Sequence, residues 1–210
     1  MSQNTVFSQV IKIIPRTQFE SFVHKHKGNF AVKTLDCWTW FGSLLFGQLT
    51  GHDSIRALER VFAGGNNQMK ALGFGVVRKS TLADANQTRP VEILEDTFNY
   101  VLQKAKQLAP LKAGFRFKGK VTAVDSTTVN LCLNLCPWAR FHHGKGAFKL
   151  HTGIDIAGDL PEFVVMTAGR VHDVRLAKGL KLQTGATYLF DRAYVDYAWL
   201  STLNQKGVFF

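Results

Sequence analysis

The spacing of the apolar residues changes near residue 115, and this change limits the folds open to the chain. Before it, apolar residues recur at intervals of three and four, which is typical of amphipathic helices. Beyond it, short runs rich in phenylalanine and β-branched residues alternate with turn residues, which is typical of strands. We therefore predict an α+β fold with a helical domain over 1–112 and a sheet-based domain over 113–210.

The helical part contains several start and stop signals. Thr17 and Glu20 form a Thr-x-x-Glu capping box that predicts a helix ending before Gly28, and 10–14 reads as an apolar turn. Pro90 suits the first position of a long helix. Further helices are predicted over 35–49, from Ser54, over 67–72 and over 80–87. The apolar residues expected to face inward in the long helix are Val91, Leu94, Phe98, Val101 and Leu102.

The second part predicts strands over 120–125, 149–155, 162–167 and 188–190, then a helix over 194–205. The last three residues, Val208 to Phe210, look like the start of another strand. Because the sequence stops inside an apolar pattern, we expect a fragment or a prematurely terminated frame. A complete domain with a short edge strand is the alternative.

The charge of the chain predicts a polyanionic partner. Lys and Arg number 26 against 15 Asp and Glu, giving a net charge of +11 that is spread over both halves. Nucleic acid is the first candidate partner and an anionic membrane surface the second. No apolar run is long enough for a membrane helix, and three unpaired cysteines favour a reducing cytoplasm. We therefore expect a cytoplasmic, nucleoid-associated protein.

Two segments place an aspartate at the end of an apolar strand. The first is Lys120-Val-Thr-Ala-Val-Asp125, followed by Ser and Thr residues, and the second is Thr187-Tyr-Leu-Phe-Asp191. Two carboxylates at neighbouring strand ends form an oxygen site suited to Mg²⁺. Taken singly, each aspartate is more often a turn former or a helix cap.

Several segments together resemble one protein family. They are 78–86 (Arg-Lys-Ser-Thr-Leu-Ala-Asp-Ala-Asn), 123–127, 149–153, 163–173 and Asp191-Arg-Ala-Tyr194. The last is similar to an Asp-x-Gly/Ala-Tyr/Phe signature, and the whole chain resembles a DDE-class transposase of the bacterial insertion-sequence family-four type. The resemblance implies a helical DNA-binding domain followed by an RNase H-like mixed-sheet core, incomplete at its C-terminus. It also implies that Asp125 and Asp191 are the first two catalytic acids.

The same resemblance implies a reaction and its partners. Mg²⁺, with Mn²⁺ as a substitute, would be bound by Asp125 and Asp191 and would support hydrolysis at element ends and transfer of the 3′-OH to target DNA. No covalent enzyme intermediate is needed, which separates this reading from serine or tyrosine recombinases. The expected partners are double-stranded DNA, as element ends and target, and further copies of the chain when it is full length. No membrane partner is expected.

The sequence departs from this family where the third acid should be. The family carries a Glu in a Tyr-x-x-Arg-x-x-x-Glu-x-x-x-x-x-x-Lys motif, and neither this motif nor the usual β-rich insertion before it occurs here. We therefore expect the 210-residue chain alone to be nearly inactive in strand cleavage. One alternative is a DNA-binding remnant that competes with or joins intact transposase. A weaker alternative is an RNase H-like nuclease that cleaves without joining.

Other residues are candidates for supporting roles. Arg78, Lys79 and Arg89 lie in a helix-turn-helix-like stretch and are predicted to contact phosphates, with a solvated basic face as the alternative. Lys145, Lys149 and Arg192 are further candidates for DNA contacts. His172, Asp173 and Tyr194 are predicted to support the site, with Asp173 as a spare metal ligand and a structural cap as options. A zinc site of Cys132, Cys136, His142 and His143 fits no usual spacing, so the cysteines are better read as apolar fillers.

Overall fold

We describe the fold from a computed structural model of the chain. The structure describes residues 5–52, 54–63, 66–108, 117, 119–131 and 146–210. The chain divides into two units, Met1–Lys104 and Ala105–Phe210. The boundary that we predicted, between 112 and 113, lies outside the described residues. The observed architecture, helices followed by a mixed sheet, confirms the predicted fold class.

The first unit is built from helices around an aromatic core. Its helices are α1 (Val6–Lys12), α2 (Arg16–Lys25), α3 (Cys37–Thr50), α4 (Ile55–Val61), α5 (Asn67–Ala71), α6 (Lys79–Thr88) and most of α7 (Glu92–Leu108). The core places Trp38 against Phe74 and Phe19 against Phe41, with ring centroids 5.6 and 4.9 Å apart. Helix α3 is apolar nearly all round, as its sequence predicts, and it contributes Cys37, Trp38, Trp40 and Phe41 to this core.

Two of the predicted features of this unit are wrong, and a third is wrong in part. The segment predicted as a turn over 10–14 belongs largely to α1, whose first turn is capped by the Thr5 side chain. Thr17 is not a cap, because Pro15 is the N-cap of α2 and Glu20 instead pairs with Arg16. The predicted inward face of the long helix is right for Leu94, Val101 and Leu102, which pack inward. It is wrong for Val91, which precedes α7, and for Phe98, because both are exposed.

Arg89 ties together two parts of the first unit. Its guanidinium donates hydrogen bonds to the carbonyl oxygens of Gly28 at 3.1 Å and Leu35 at 2.6 Å. Arg89 is the C-cap of α6, so these bonds hold the end of α6 against the segment that links α2 to α3. The segment cannot rearrange without leaving two carbonyls and a charged group unpaired.

The second unit contains a four-stranded mixed sheet with the order β3-β2-β1-β4. The strands are β1 (Val121–Leu131), β2 (Gly146–Asp155), β3 (Leu160–Ala168) and β4 (Thr187–Phe190), and the helices are α8 (Asp173–Ala177) and α9 (Tyr197–Gln205). Strands β1, β2 and β3 pair antiparallel, whereas β4 is parallel to β1. Phe209 forms a parallel bridge with Thr187 beyond β4. This arrangement is an RNase H-like sheet.

The two faces of the sheet have different surroundings. Val124, Tyr188 and Phe190 project to one face, where they pack with Trp199 and Leu203 of α9. Alternation along the strands puts Asp125 on the other face, together with a set of exposed apolar side chains. Those side chains are Ile154, Val164, Met166 and Leu189.

All four predicted strands are present, and three of them are distinctly longer than predicted. Strand β1 continues to Leu131 and β2 begins at Gly146, because the two pair in register over their whole length. The helix predicted from residue 194 begins at Tyr197, after a short 3-10 turn over Arg192–Tyr194. Among the described residues, no helix is both long enough and apolar enough to cross a membrane.

We predict that Arg89→Met lowers the free energy of unfolding by about 1.5–3 kcal/mol. The reason is that the substitution leaves the Gly28 and Leu35 carbonyls without their charged donor. Urea unfolding followed by far-UV circular dichroism measures this change. Arg78→Met is the matched control, because Arg78 is exposed at the other end of the same helix. Equal losses in the two variants would contradict the role of Arg89.

Candidate active site

The register of the two parallel strands places Asp125 beside Asp191. Val124 of β1 pairs with Phe190, the last residue of β4, and each of the two is followed by an aspartate. Neighbouring strands lie about 4.8 Å apart, so Asp125, within β1, and Asp191, directly after β4, lie side by side. Both are exposed to solvent. The structure therefore brings together the two acids that the sequence singled out.

Each of the two carboxylates is held by one local backbone hydrogen bond. Asp125 accepts from the N–H of Ser126 at 2.7 Å, and Asp191 accepts from the N–H of Ala193 at 2.9 Å as the N-cap of the 3-10 turn. These bonds involve one oxygen of each side chain. The second oxygen of each accepts no hydrogen bond from a described residue, so both remain able to bind a ligand from solvent.

A buried polar cluster lies on the packed face of the same sheet. Lys149 of β2 forms an ion pair with Asp173 of α8 at 3.0 Å, and only 16% and 12% of the two side chains are exposed. His151 is fully buried two residues further along β2. Its Nδ1 lies 3.7 Å from Asp173, and its Nε2 contacts the Thr167 hydroxyl at 2.9 Å. Burial lowers the pKa of His151, and the Asp173 carboxylate opposes that shift.

Tyr194 connects this cluster to the aspartate pair. Its hydroxyl is buried and has no hydrogen-bond partner of ordinary geometry among the described residues, although Ser126 is near it. Burial, together with the nearby carboxylates of Asp173, Asp125 and Asp191, raises the pKa of Tyr194 to about 12, while Ser126 opposes the shift. The phenol is thus neutral at ordinary pH and lies within the field of three carboxylates.

No described residue completes a metal site with the two acids. Among the described ranges, no group of three or more His, Cys, Asp and Glu side chains is arranged to hold a metal ion. Asp173, which we considered as a spare ligand, is instead paired with Lys149. His172 is exposed and makes no capping hydrogen bond at the start of α8. The predicted filler cysteines Cys132 and Cys136 and the rejected zinc ligands His142 and His143 lie outside the described residues.

Two domain families match different parts of the chain. Residues 116–210 match the transposase DDE domain family, and residues 2–75 match a domain family of unknown function, DUF4372. Residues 116–210 thus carry a domain of the DDE-class transposases. No solved structure matches it significantly. The assignment to the family-four type stays a prediction.

Two curated relatives carry transposase names. A protein of Sinorhizobium fredii named as transposase y4zB is 29% identical over 129 residues, covering 61% of this chain and 35% of the relative. A protein of Geobacillus stearothermophilus named as the transposase of insertion sequence element IS5377 is 31% identical over 117 residues, covering 55% and 30%. The chain thus spans about a third of the length of the curated relatives it matches.

The cations predicted to contact DNA fall into three groups in this chain. Arg78, Lys79 and Arg192 are exposed, the first two at the start of α6 and the third beside Asp191. Arg89 and Lys149 have partners inside the fold, two backbone carbonyls and Asp173 respectively. Lys145 lies outside the described residues. A DNA contact by any of the six stays a prediction.

The sequence reasoning missed one member of the polar cluster, His151. Its signal was present, because Lys149 and His151 are two residues apart in a predicted strand and therefore share a face. What the sequence could not supply is the partner. Asp173 lies 24 positions from Lys149 and reaches it only because β3 returns the chain along β2.

We predict that Lys149→Met and Asp173→Asn each lower the free energy of unfolding by about 3 kcal/mol. Each substitution leaves the other member of a buried ion pair without its partner. Urea unfolding measures the change, and the double variant should lose less than the sum of the two. Lys178→Met is the control, because the Lys178–Asp196 pair is more exposed and should contribute under about 1 kcal/mol. Strictly additive losses in the double variant would contradict the pairing.

We predict that stability falls between pH 10 and pH 12 because of Tyr194. Its pKa rises from 10.0 to about 12 in the folded chain, so the unfolded chain releases the proton first as the pH rises. The fold should lose about 2 kcal/mol from this group across that range. Tyr194→Phe removes this loss and also deletes a buried hydroxyl without a partner. It should therefore be at least as stable as the wild type at neutral pH. Parallel pH profiles for the two proteins would contradict the assignment.

Proposed function

We propose that this chain supplies two catalytic carboxylates, Asp125 and Asp191, to a transposase that cuts DNA at the ends of an insertion element and joins the freed 3′-OH to target DNA. The observation that carries the proposal is the parallel register of β1 and β4, which sets two exposed aspartates next to each other. The match of 116–210 to the transposase DDE domain family supports the same reading.

The donor set of this pair fits a divalent cation. Carboxylate oxygens are the ligands that Mg²⁺ prefers, and each aspartate has one oxygen free of hydrogen bonds to described residues. When bound, Mg²⁺ would activate the attacking oxygen and neutralise the negative charge on the phosphate as it reacts. Asp125 would bind the ion from within strand β1. Asp191 would bind it from the N-cap position of the 3-10 turn, which its own carboxylate caps.

The polar cluster on the packed face has a positioning role in this proposal. Helix α8 carries Asp173 and packs against the 3-10 turn that follows Asp191. The ion pair with Lys149 fixes α8 on the sheet, and Tyr194 occupies the end of the turn. The ion pair and Tyr194 would thus fix the 3-10 turn in place. The Asp191 carboxylate would then keep a constant orientation relative to Asp125.

The helical unit is proposed to bind double-stranded DNA. Helices α4 and α6 pack together with the short α5 between them in sequence, as the helix-turn-helix-like stretch predicts. The exposed Arg78 and Lys79 lie at the start of α6, where they can reach phosphates. Such contacts position a protein on DNA without reading its sequence.

The chain is proposed not to cut DNA by itself. Within the described ranges the site holds two carboxylates and no arrangement of three metal-binding side chains. This observation also favours the second candidate function, a DNA-binding protein that recognises element ends without catalysis. The two differ in one respect that can be measured directly: whether Asp125 and Asp191 bind a divalent ion together.

Binding of Mn²⁺ to the 210-residue chain tests the proposal, with the free ion followed by electron paramagnetic resonance. We expect Asp125→Asn and Asp191→Asn each to weaken binding by about tenfold or more, since even substitutions next to metal ligands cost 10- to 100-fold. Asp84→Asn is the matched control, because Asp84 is an exposed aspartate of the first unit. Mn²⁺ affinity that is the same in all four proteins would exclude the metal site and leave the non-catalytic function.

Strand cleavage measured on the same proteins completes the test. We expect no cleavage of DNA by the chain in Mg²⁺ or Mn²⁺ under single-turnover conditions. Cleavage that disappears in Asp125→Asn would show that two acids of this chain suffice.

A further inference from the structure

The segment between α2 and α3 presents an aromatic side chain to solvent. Phe30 is 82% exposed, and no large apolar side chain described in the first unit is more exposed. Burying a phenylalanine side chain stabilises a fold by about 1.5–3 kcal/mol, and the exposure of Phe30 forgoes that gain.

The backbone around Phe30 is held firmly in place. The Asn29 side chain accepts from the N–H of Cys37 at 2.8 Å, and Arg89 donates to the carbonyls of Gly28 and Leu35 on either side. Gly28 is packed so closely that a methyl group there would collide with Ile93. The segment is braced at three points within a few residues of Phe30.

Two residues of this segment have a backbone conformation that L-residues seldom adopt. Lys27 has φ of 53° and Ala31 has φ of 56°, and both are in the left-handed region without being glycine. Two successive turns result, in which Phe30 N–H donates to Lys27 O at 2.9 Å and Val32 N–H donates to Asn29 O at 3.2 Å. These conformations persist only where the surrounding contacts hold them, and they set Phe30 at the tip.

The charges around Phe30 are positive. Residues 24–35 contain three lysines and two histidines and no acidic residue. Lys25 and His26 share Asp96 as a partner, whereas Lys27 and Lys33 are exposed and form no ion pair within the described part of the chain. The free cations thus stand three residues to either side of the exposed ring.

Open cavities lie on both sides of the ring. One, of about 530 Å³, is lined by Val23, His24, Lys27 and Phe30, and also by Glu20, which pairs with Arg16. The other, of about 520 Å³, is lined by Phe30, Lys33 and Arg89, with Asp84 in the same lining. Both cavities are open to solvent and belong to the first unit.

We propose that Phe30 stacks on an unpaired DNA base while Lys27 and Lys33 contact the flanking phosphates. An aromatic ring between cations is the arrangement by which proteins bind single-stranded nucleic acid, because each base has an apolar face and each nucleotide a negative charge. The bracing of the loop supports this partner, since a ring already fixed in its bound position loses little entropy on stacking. The inference rests on the proposed DNA-binding function and adds to it a preference for unpaired bases.

The competing occupant of an exposed aromatic ring is a second copy of the chain. The charge pattern favours nucleic acid over that alternative, because two copies would bring Lys27 and Lys33 against the same cations of their partner. A nucleic-acid strand would instead neutralise them.

Fluorescence anisotropy of the 210-residue chain with a labelled single strand and with a fully paired duplex tests the inference. We expect Phe30→Ala to weaken single-strand binding by about 5- to 100-fold, the range found when a stacking aromatic is removed, and to change duplex binding little. Phe30→Trp should retain single-strand binding. Phe98→Ala is the matched control, a partly exposed phenylalanine on α7 that should leave binding unchanged.

The salt dependence of DNA affinity distinguishes the contribution of the Phe30 ring from that of Lys27 and Lys33. Lys27→Gln and Lys33→Gln should each reduce the slope of log affinity against log salt by roughly 0.7, whereas Phe30→Ala should leave that slope unchanged. Unaltered single-strand affinity in Phe30→Ala would overturn the inference while leaving DNA binding in place. So would a fall in the sedimentation coefficient of that variant without loss of affinity, which would assign the ring to self-association. A wild-type chain that binds neither DNA would remove the DNA-binding function and the inference together.

Discussion

The parallel pairing of β1 with β4 determines the geometry of the candidate site. Because Val124 and Phe190 are paired, the aspartates that follow them, one within β1 and one directly after β4, lie at the same level. A slip of one residue would turn one aspartate to the packed face, where an ion would have to be buried without a partner. The antiparallel pairing of β1 with β2 holds β1 from its other side. Backbone hydrogen bonds of the sheet thus set the spacing of the carboxylates, which leaves their side chains free for a ligand.

The two faces of this sheet contribute different groups to the candidate site. The packed face contains the ion pair of Lys149 and Asp173, a fully buried histidine and the unpaired Tyr194 hydroxyl. Burying such groups costs free energy that apolar side chains would not, so stability alone does not account for them. Their location beside the turn that follows Asp191 fits the proposed positioning role. The other face carries Asp125 among exposed apolar residues. The two acids therefore lie between the packed face, with its polar cluster, and the solvent-exposed face.

Much of this fold follows from local sequence patterns, whereas the site needed the strand order as well. Every predicted strand exists, because runs such as 121–124 have the β-branched composition that strands require. The extent of β1 was missed because the apolar pattern stops at Asp125, and the pairing with β2 extends the strand through Ser126, Thr127 and Thr128. The capping box at Thr17 failed because Pro15 starts the helix earlier. The two motifs predict that Asp125 and Asp191 lie near each other in the sheet. Their position at the same level along the strands depends on the strand register, which no local pattern specifies.

Net charge predicted a polyanionic partner, but it overstates the surface that is free to meet one. Of the cations selected from the sequence, Arg89 and Lys149 are bound within the fold, because a long basic side chain can pair with carbonyls or a carboxylate as readily as with a phosphate. The exposed cations with no partner inside the fold are therefore the better guide to a nucleic-acid surface. Lys27 and Lys33 meet that criterion and were not selected from the sequence, since nothing in their spacing marks them out. They become conspicuous only once the braced loop places an exposed ring between them, and Arg89 braces that loop from within the fold.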